Sequence, residues 1–372
     1  MADLRTKPPN MAYIPYPEGI GVLRHPYKKK FEDREVNVSV PCRIDLGGTL
    51  DISTFYLPLN HLKPSTFNIA IDMRTKVTLS PFKNGYIKVS SRGFDSAEFK
   101  ASDAPFDHPM GLMFAVAKFF NAHGVHIKID SSSPPRSALG GSSAAAVAIA
   151  AAFLSVAGKE TEPSKAAIIA HYIESSVAGV PCGFQDQLAA AFGGVNQWHW
   201  KMGINGPEFT QEKISMTFDD VDGFKKNFVV AYCGIPHVSS DVNKKWVNGF
   251  ISGKHRDKWE EIVLITKDFS NAVKSKDFCL AGSLMNRETD IRLSMTPDVL
   301  DPVGKMLYKA AKKVGCGARF TGAGGGGCLW AIGKSNDIKK VKTAWEDLLL
   351  KEDQAKLLDT AVDYKGILFT DN

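Results

Sequence analysis

The sequence predicts a two-domain α+β protein, and three observations predict it. The first third alternates apolar and polar residues with the period of a strand, an alanine-rich helix occupies the middle, and after Trp200 strands and helices start again. VNVSVPCRIDL and IAIDMRTKVTLSPF alternate, and GYIKVSS follows the second of them across Lys83-Asn84-Gly85, the signature of a hairpin. Residues 113–122 then read as a helix, HIKIDSS as a strand, and 134–144 as a loop running into the alanine-rich helix. A second helix over 164–178 sets Ile169, Tyr172, Ile173 and Val177 on one face at helical spacing. An irregular segment, VPCGFQDQ, precedes the small-residue helix LAAAFGG. Beyond Trp200 come the strand FVVAYC, helices over 257–273 and 300–314, a glycine-rich turn, the strand CLWAI and a last helix ending near 350. The expected organisation is an arm over 1–35, an N-terminal domain over 36–210 and a C-terminal domain over 211–372.

Composition excludes several classes. The chain has 372 residues, 44% hydrophobic and 23% charged, so it can bury a deep core and is neither disordered nor collagen-like. The formal charge of +6 is spread along the chain, which suits an anionic small-molecule ligand and lacks the basic stripe that nucleic acid requires. The six cysteines stand far apart with no C-x-x-C pair, which points to a reducing compartment rather than a disulfide framework or a zinc site. The first residues carry charge and proline where a signal peptide has an apolar run, and the uncharged stretch over 138–158 is too rich in Gly, Ser and Ala for a membrane span. A cytoplasmic protein without membrane or nucleic-acid partners is expected.

Four clusters could carry chemistry. The first, PPRSALGGSSA over 134–144, is a small-residue loop entering a helix; first-turn amides there have no intrahelical partner, and the helix dipole favours an anion such as phosphate. A plain Ser N-cap after a glycine turn shares that geometry. The second, TGAGGGGC over 321–328, formally contains G-x-G-x-x-G, but a strand-like segment follows where a dinucleotide site needs a helix. It reads as a turn between two strands that bends tightly or packs against a bound phosphate or sugar. The third is Asp186 between Gln185 and Gln187, a half-buried acid that needs a partner to stay ionised or that caps a helix. In the fourth, RIDLGGTLD over 43–51, Arg43 and Asp45 share a strand face, so a simple ion pair is the plain reading.

Taken in order, RIDLGG, PPRSALGGSSAAA, CGFQDQ and GARFTGAGGGGC resemble the small-molecule kinases named for galactokinase, homoserine kinase, mevalonate kinase and phosphomevalonate kinase, the GHMP kinases. Within that family the QDQ segment, the following AAAFGGVN and the early RID look most similar to heptose phosphate kinases and related sugar kinases. The resemblance implies an N-terminal domain like ribosomal protein S5 domain 2, a ferredoxin-like C-terminal domain and a site between them. ATP phosphates would lie against Pro135, Arg136, Ser137, Ala138, Leu139, Gly140, Gly141, Ser142, Ser143 and Ala144. Ser142 and Glu174 would hold Mg2+, Asp186 would act as the base, and Arg43 would stabilise charge on the transferring phosphoryl group. Asp51, Thr49, Gly183, Gly324 and Gly325 would face the acceptor, a sugar or sugar phosphate of the heptose 7-phosphate type. The alternatives are a galactokinase- or fucokinase-type enzyme, a decarboxylase or a non-catalytic sugar sensor on the same scaffold, and an NAD-linked oxidoreductase. Ala138 stands where the family loop carries its first glycine, Arg136 replaces a small residue, and the turn after Gly48 is one residue shorter than in galactokinases.

Overall fold

The alternating segments of the first third build one sheet, and the restart after Trp200 builds another. The computed structural model describes residues 35–370 except 160, 180, 205, 215–223 and 237–238, so the expected arm, up to residue 34, lies outside the described residues. In chain order the strands are β1 (Val36–Leu46), β2 (Ser65–Pro81), β3 (Tyr86–Ser91), β4 (Ala97–Lys100), β5 (Val125–Ser131), β6 (Val195–Trp200), β7 (Phe209–Lys213), β8 (Phe228–Tyr232), β9 (Gly317–Phe320), β10 (Cys328–Ile332), β11 (Lys356–Leu358) and β12 (Leu368–Thr370). The first sheet runs β12-β1-β2-β5-β3-β4, with β6 on β2 and β7 on β6. β2 takes β6 along 65–69 and β5 along 75–81. Its register against β1 shifts between Pro41 and Cys42, where proline lacks the N–H that a ladder bond needs.

The hairpin expected across Lys83-Asn84-Gly85 does not form, because β5 lies between β2 and β3, antiparallel to one and parallel to the other. Gly124, entering β5, donates its amide to Tyr86 O and accepts the amide of Phe82, filling the space a hairpin would close. The turn signal is local, and the strand that overrides it comes from far downstream.

Helices α1 (Ser53–Tyr56), α2 (Gly111–Phe119), α3 (Gly141–Val156), α4 (Pro163–Val177) and α5 (Gln185–Phe192) belong to the first half. In α3, 13 of 16 residues are buried, so it is enclosed on all sides, and its alanines let β1 and β2 approach the helix backbone closely. The buried face of α4 is Ala166, Ala167, Ile169, Ala170 and His171; Tyr172, expected on the apolar stripe, is 58% exposed. Packing against α3 selects the small residues for the core side. The QDQ segment is not irregular: α5 begins at Gln185 and carries Asp186 in its first turn.

The second half holds α6 (Ser239–Ile251), α7 (Arg256–Lys274), α8 (Phe278–Met295), α9 (Pro302–Lys313) and α10 (Ser335–Leu349). Its antiparallel sheet, ordered β11-β8-β10-β9 with helices after β8 and β10, is the split β-α-β-β-α-β arrangement of ferredoxin-like folds. Sheet membership cuts the chain differently from the expected domain bounds: β7 spans 210/211, β12 rejoins β1, and Leu50, Ile52, Phe55 and Leu59 pack in the C-terminal core. The turn that follows β1 is thus seated in the second half. Among the described residues, no helix is long and apolar enough to cross a membrane.

Candidate active site

A cleft of about 400 Å³ opens where the end of β1, the loop before α3, and helices α4 and α5 meet α6 and the turn between β9 and β10. One wall is backbone. Arg136, Ala138 and Gly140 have φ of 54°, 61° and 77°, with residues of ordinary φ between them. Such alternation turns successive amides toward one side and makes a concave anion site. It leads into α3, whose N-cap, Gly140, has no side chain to cap the first turn. The loop is pinned from behind: the Arg43 amide donates to Leu139 O at 3.0 Å and Arg43 Nη1 to Ala138 O at 2.6 Å. Gly327 packs so closely against Ser137 O that a Cβ there would sit 2.7 Å away. The second glycine cluster is thus the tight turn between β9 and β10 that backs the anion loop.

The adjoining wall is charge. Arg43 holds Asp186 with two bonds, Nε to Oδ1 at 2.8 Å and Nη2 to Oδ2 at 2.9 Å, across 143 positions of sequence. The bidentate geometry fixes the carboxylate plane as well as its position. Gly140 permits that approach, since a Cβ on it would lie 3.2 Å from Asp186 Oδ2. Asp45 does more than pair with Arg43 at 3.7 Å: its Oδ1 accepts the Gly322 amide at 2.7 Å and ties β1 to the glycine turn. Asp51 is 5% exposed, and its Oδ2 accepts the Gln185 amide at 3.0 Å, capping α5 from the turn after β1. Burial, with the Asp186 and Asp45 charges adding, pushes the Asp51 carboxyl up to about 6 against the pull of that amide. Gly183 makes room for it, because a Cβ there would meet Asp51 Oδ2 at 1.9 Å. Glu174 of α4 accepts Gln187 Nε2 at 2.7 Å, and burial pushes its carboxyl up to about 7.

Residues 110–194 match the family model for the GHMP kinases N terminal domain, and residues 270–349 match that for the GHMP kinases C terminal domain. The chain belongs to the GHMP kinase family. It is therefore a phosphotransferase of a family that uses ATP. A mevalonate kinase of Thermococcus onnurineus is 26% identical over 292 residues, covering 71% of this chain and 81% of that protein. Among solved structures, the D-glycero-D-manno-heptose 1-phosphate kinase of Bacteriodes thetaiotaomicron superposes with a TM-score of 0.69 at 18% identity, covering 91% of this chain and 99% of that one. The Lactococcus lactis galactokinase crystallised with galactose gives 0.68 at 16% identity, covering 92% and 97%. These likenesses establish the fold.

In this kinase Arg43, Thr49, Asp51, Pro135, Arg136, Ser137, Ala138, Gly140, Gly141, Ser142, Ser143, Glu174, Gly183 and Asp186 all line the cleft. Four expected residues do not. Leu139 and Ala144 point into the core at 0% and 1% exposure, while Gly324 and Gly325 turn toward Val299 and Val242; Gly322 and Ala323 reach the cleft instead. The serine bonded to Glu174 is Ser143, whereas Ser142 is exposed at the helix start. Among the described residues no three His, Cys, Asp or Glu side chains gather as a metal cage. One carboxylate and one hydroxyl at an anion-binding turn suit Mg2+, which keeps waters and phosphate oxygens in its shell. Sequence reasoning missed the apolar end of the cleft, Phe94, Pro109, Met110, Met113 and Ile129 beside Pro135, a slot of the character a nucleobase takes. Only the PFDHPMG segment, apolar and turn-rich before a helix, hints at it.

Proposed function

We propose that the chain transfers the γ-phosphoryl group of ATP to a hydroxyl of a sugar. The observation that carries this reading is a set of buried acceptor atoms on residues that line the cleft. Asp51 is a carboxylate, and Gln185 Oε1 and Asn243 Oδ1 are buried with no hydrogen-bond partner among the described residues, while both residues line the cleft. Three such residues on one cleft suit a ligand rich in O–H donors, which is what a polyol offers.

The base occupies the slot of apolar side chains, and the phosphates lie against the amides of the loop and the first turn of α3, with Arg136 at the rim. Ser142 and Glu174 hold Mg2+, which when bound neutralises phosphate charge. The acceptor hydroxyl sits by Asp186. As its oxygen bonds to the γ-phosphorus, its proton passes to Asp186 and the bond to the β,γ-bridging oxygen breaks, releasing ADP. Arg43 keeps the Asp186 plane fixed and sets positive charge beside the transferring group. An acceptor that already carries a phosphate, as in the heptose phosphate expectation, directs that phosphate away from Asp51 and Asp186.

The mevalonate kinase relative favours a second reading, a hydroxy-acid acceptor. Its carboxylate would face the Asp51 and Asp186 charges. An ADP-release screen over hexoses, deoxysugars, uronic acids, heptose phosphates and mevalonate separates the two. Turnover with a neutral sugar at least about tenfold above that with mevalonate supports the first reading, and the reverse order replaces it.

A further inference from the structure

Behind the reacting groups, β1, β9 and α8 bury a row of alternating charges. Asp45, Arg319, Glu288 and Arg292 are each 0% exposed. Arg319 donates from Nη1 to Asp45 Oδ2 at 3.1 Å and from Nε to Glu288 Oε2 at 2.9 Å. Glu288 Oε1 then accepts Arg292 Nε at 2.9 Å. The row ends on the turn after β1, where Arg292 Nη2 donates to Gly48 O at 2.7 Å and Nη1 to Thr49 Oγ1 at 3.5 Å. The Arg292 guanidinium lies 4.6 and 4.5 Å from the rings of Trp246 and Trp259, which add cation–π attraction and exclude water.

Packed apolar side chains are often as stabilising as buried ion pairs, so stability alone does not explain four such charges. A guanidinium can hold two acceptors in fixed relative positions, and an apolar side chain cannot. The turn needs holding. Thr49 has φ 81°, an unfavourable conformation for a β-branched residue that persists only where the surroundings enforce it. Two residues further on stands Asp51, bonded to the helix that bears Asp186.

We propose that Arg292 is a positioning residue: anchored by Asp45, Arg319 and Glu288, it holds the strained turn of Gly48 and Thr49 and so sets Asp51 against Asp186 on the acceptor side of the cleft. The kinetic arm of its test rests on the sugar-kinase reading; the structural arm does not. Hydrogen exchange is followed over 47–56 and 136–146 in the full chain, in Arg292→Met and in Arg292→Lys. In Arg292→Met, exchange over 47–56 quickens about tenfold while 136–146 is unchanged. With the best sugar from the screen, the acceptor KM rises about tenfold and the ATP KM stays within about threefold. Arg292→Lys, which keeps a charge for Glu288 and a donor for Gly48, falls between the two. Unchanged exchange over 47–56, equal quickening over 136–146, or parallel rises in both KM values overturns the proposal. Should Arg292→Met not fold, Arg292→Lys decides by the same readouts. Should no sugar turn over, the sugar reading falls and exchange alone judges Arg292.

Discussion

At the end of the cleft proposed for the nucleotide, Arg136, Ala138 and Gly140 aim backbone amides through left-handed conformations; at the end proposed for the acceptor, Asp45 and Asp51 are buried and the half-buried Asp186 is held by Arg43. The difference teaches where each end is vulnerable. Backbone amides carry no titratable proton, so the first end is damaged by an added carbon atom. Buried carboxylates depend on partners and pH, so the second is damaged by losing a charge or gaining a proton.

The sharpest break of this contrast is Asp186→Asn, which keeps shape and removes the proton acceptor. Turnover falls about a hundredfold or more, while ATP affinity measured by calorimetry shifts by less than about threefold. Unchanged turnover removes Asp186 from the chemistry. The steric counterpart is Gly140→Ala, which places a Cβ at φ 77° and 3.2 Å from Asp186 Oδ2. It raises the ATP KM about tenfold and costs about 1 kcal/mol of stability, with no change in the shape of the pH profile. A new inflection in that profile would mean the two ends are not separable.

The smallest effect concerns stability. Asp51 is raised to about 6, above its value in an unfolded chain, so the folded state binds its proton more tightly. Its contribution to stability is therefore full below about pH 4 and is lost as pH rises through about 6. Asp51→Asn removes the penalty and stabilises the protein by about 1–2 kcal/mol at pH 8, with no gain at pH 4, as read by denaturant titration. The same variant weakens acceptor binding, a trade of function against stability. Equal stability of variant and parent at pH 8 contradicts the buried-charge view of this end.

The two ends also differed in how plainly they could be read. The anion loop was legible because its chemistry is local: glycines and serines running into an alanine helix leave amides exposed whatever surrounds them. Arg43 and Asp186 were reachable through the resemblance, although nothing nearby in sequence reports that they meet across 143 positions. Helix α8 went unread because its buried positions, Ala281, Met285, Glu288, Thr289 and Arg292, keep helical spacing but replace the apolar stripe with charge. The Lys83-Asn84-Gly85 turn failed for the opposite reason, a strong local signal overruled by β5. Gly324 and Gly325 were placed at the acceptor because glycine runs suggest close approach, and they do approach closely, to Val299 and Val242 rather than to the cleft.

The most direct measurement is a crystal structure of the kinase with a non-hydrolysable ATP analogue, Mg2+ and the best acceptor from the screen. The account predicts the triphosphate against the amides of residues 138–143, with the acceptor hydroxyl within hydrogen-bond reach of Asp186 and in line with the γ-phosphorus. A triphosphate bound elsewhere, or an Asp186 carboxylate facing away from that hydroxyl, would contradict it.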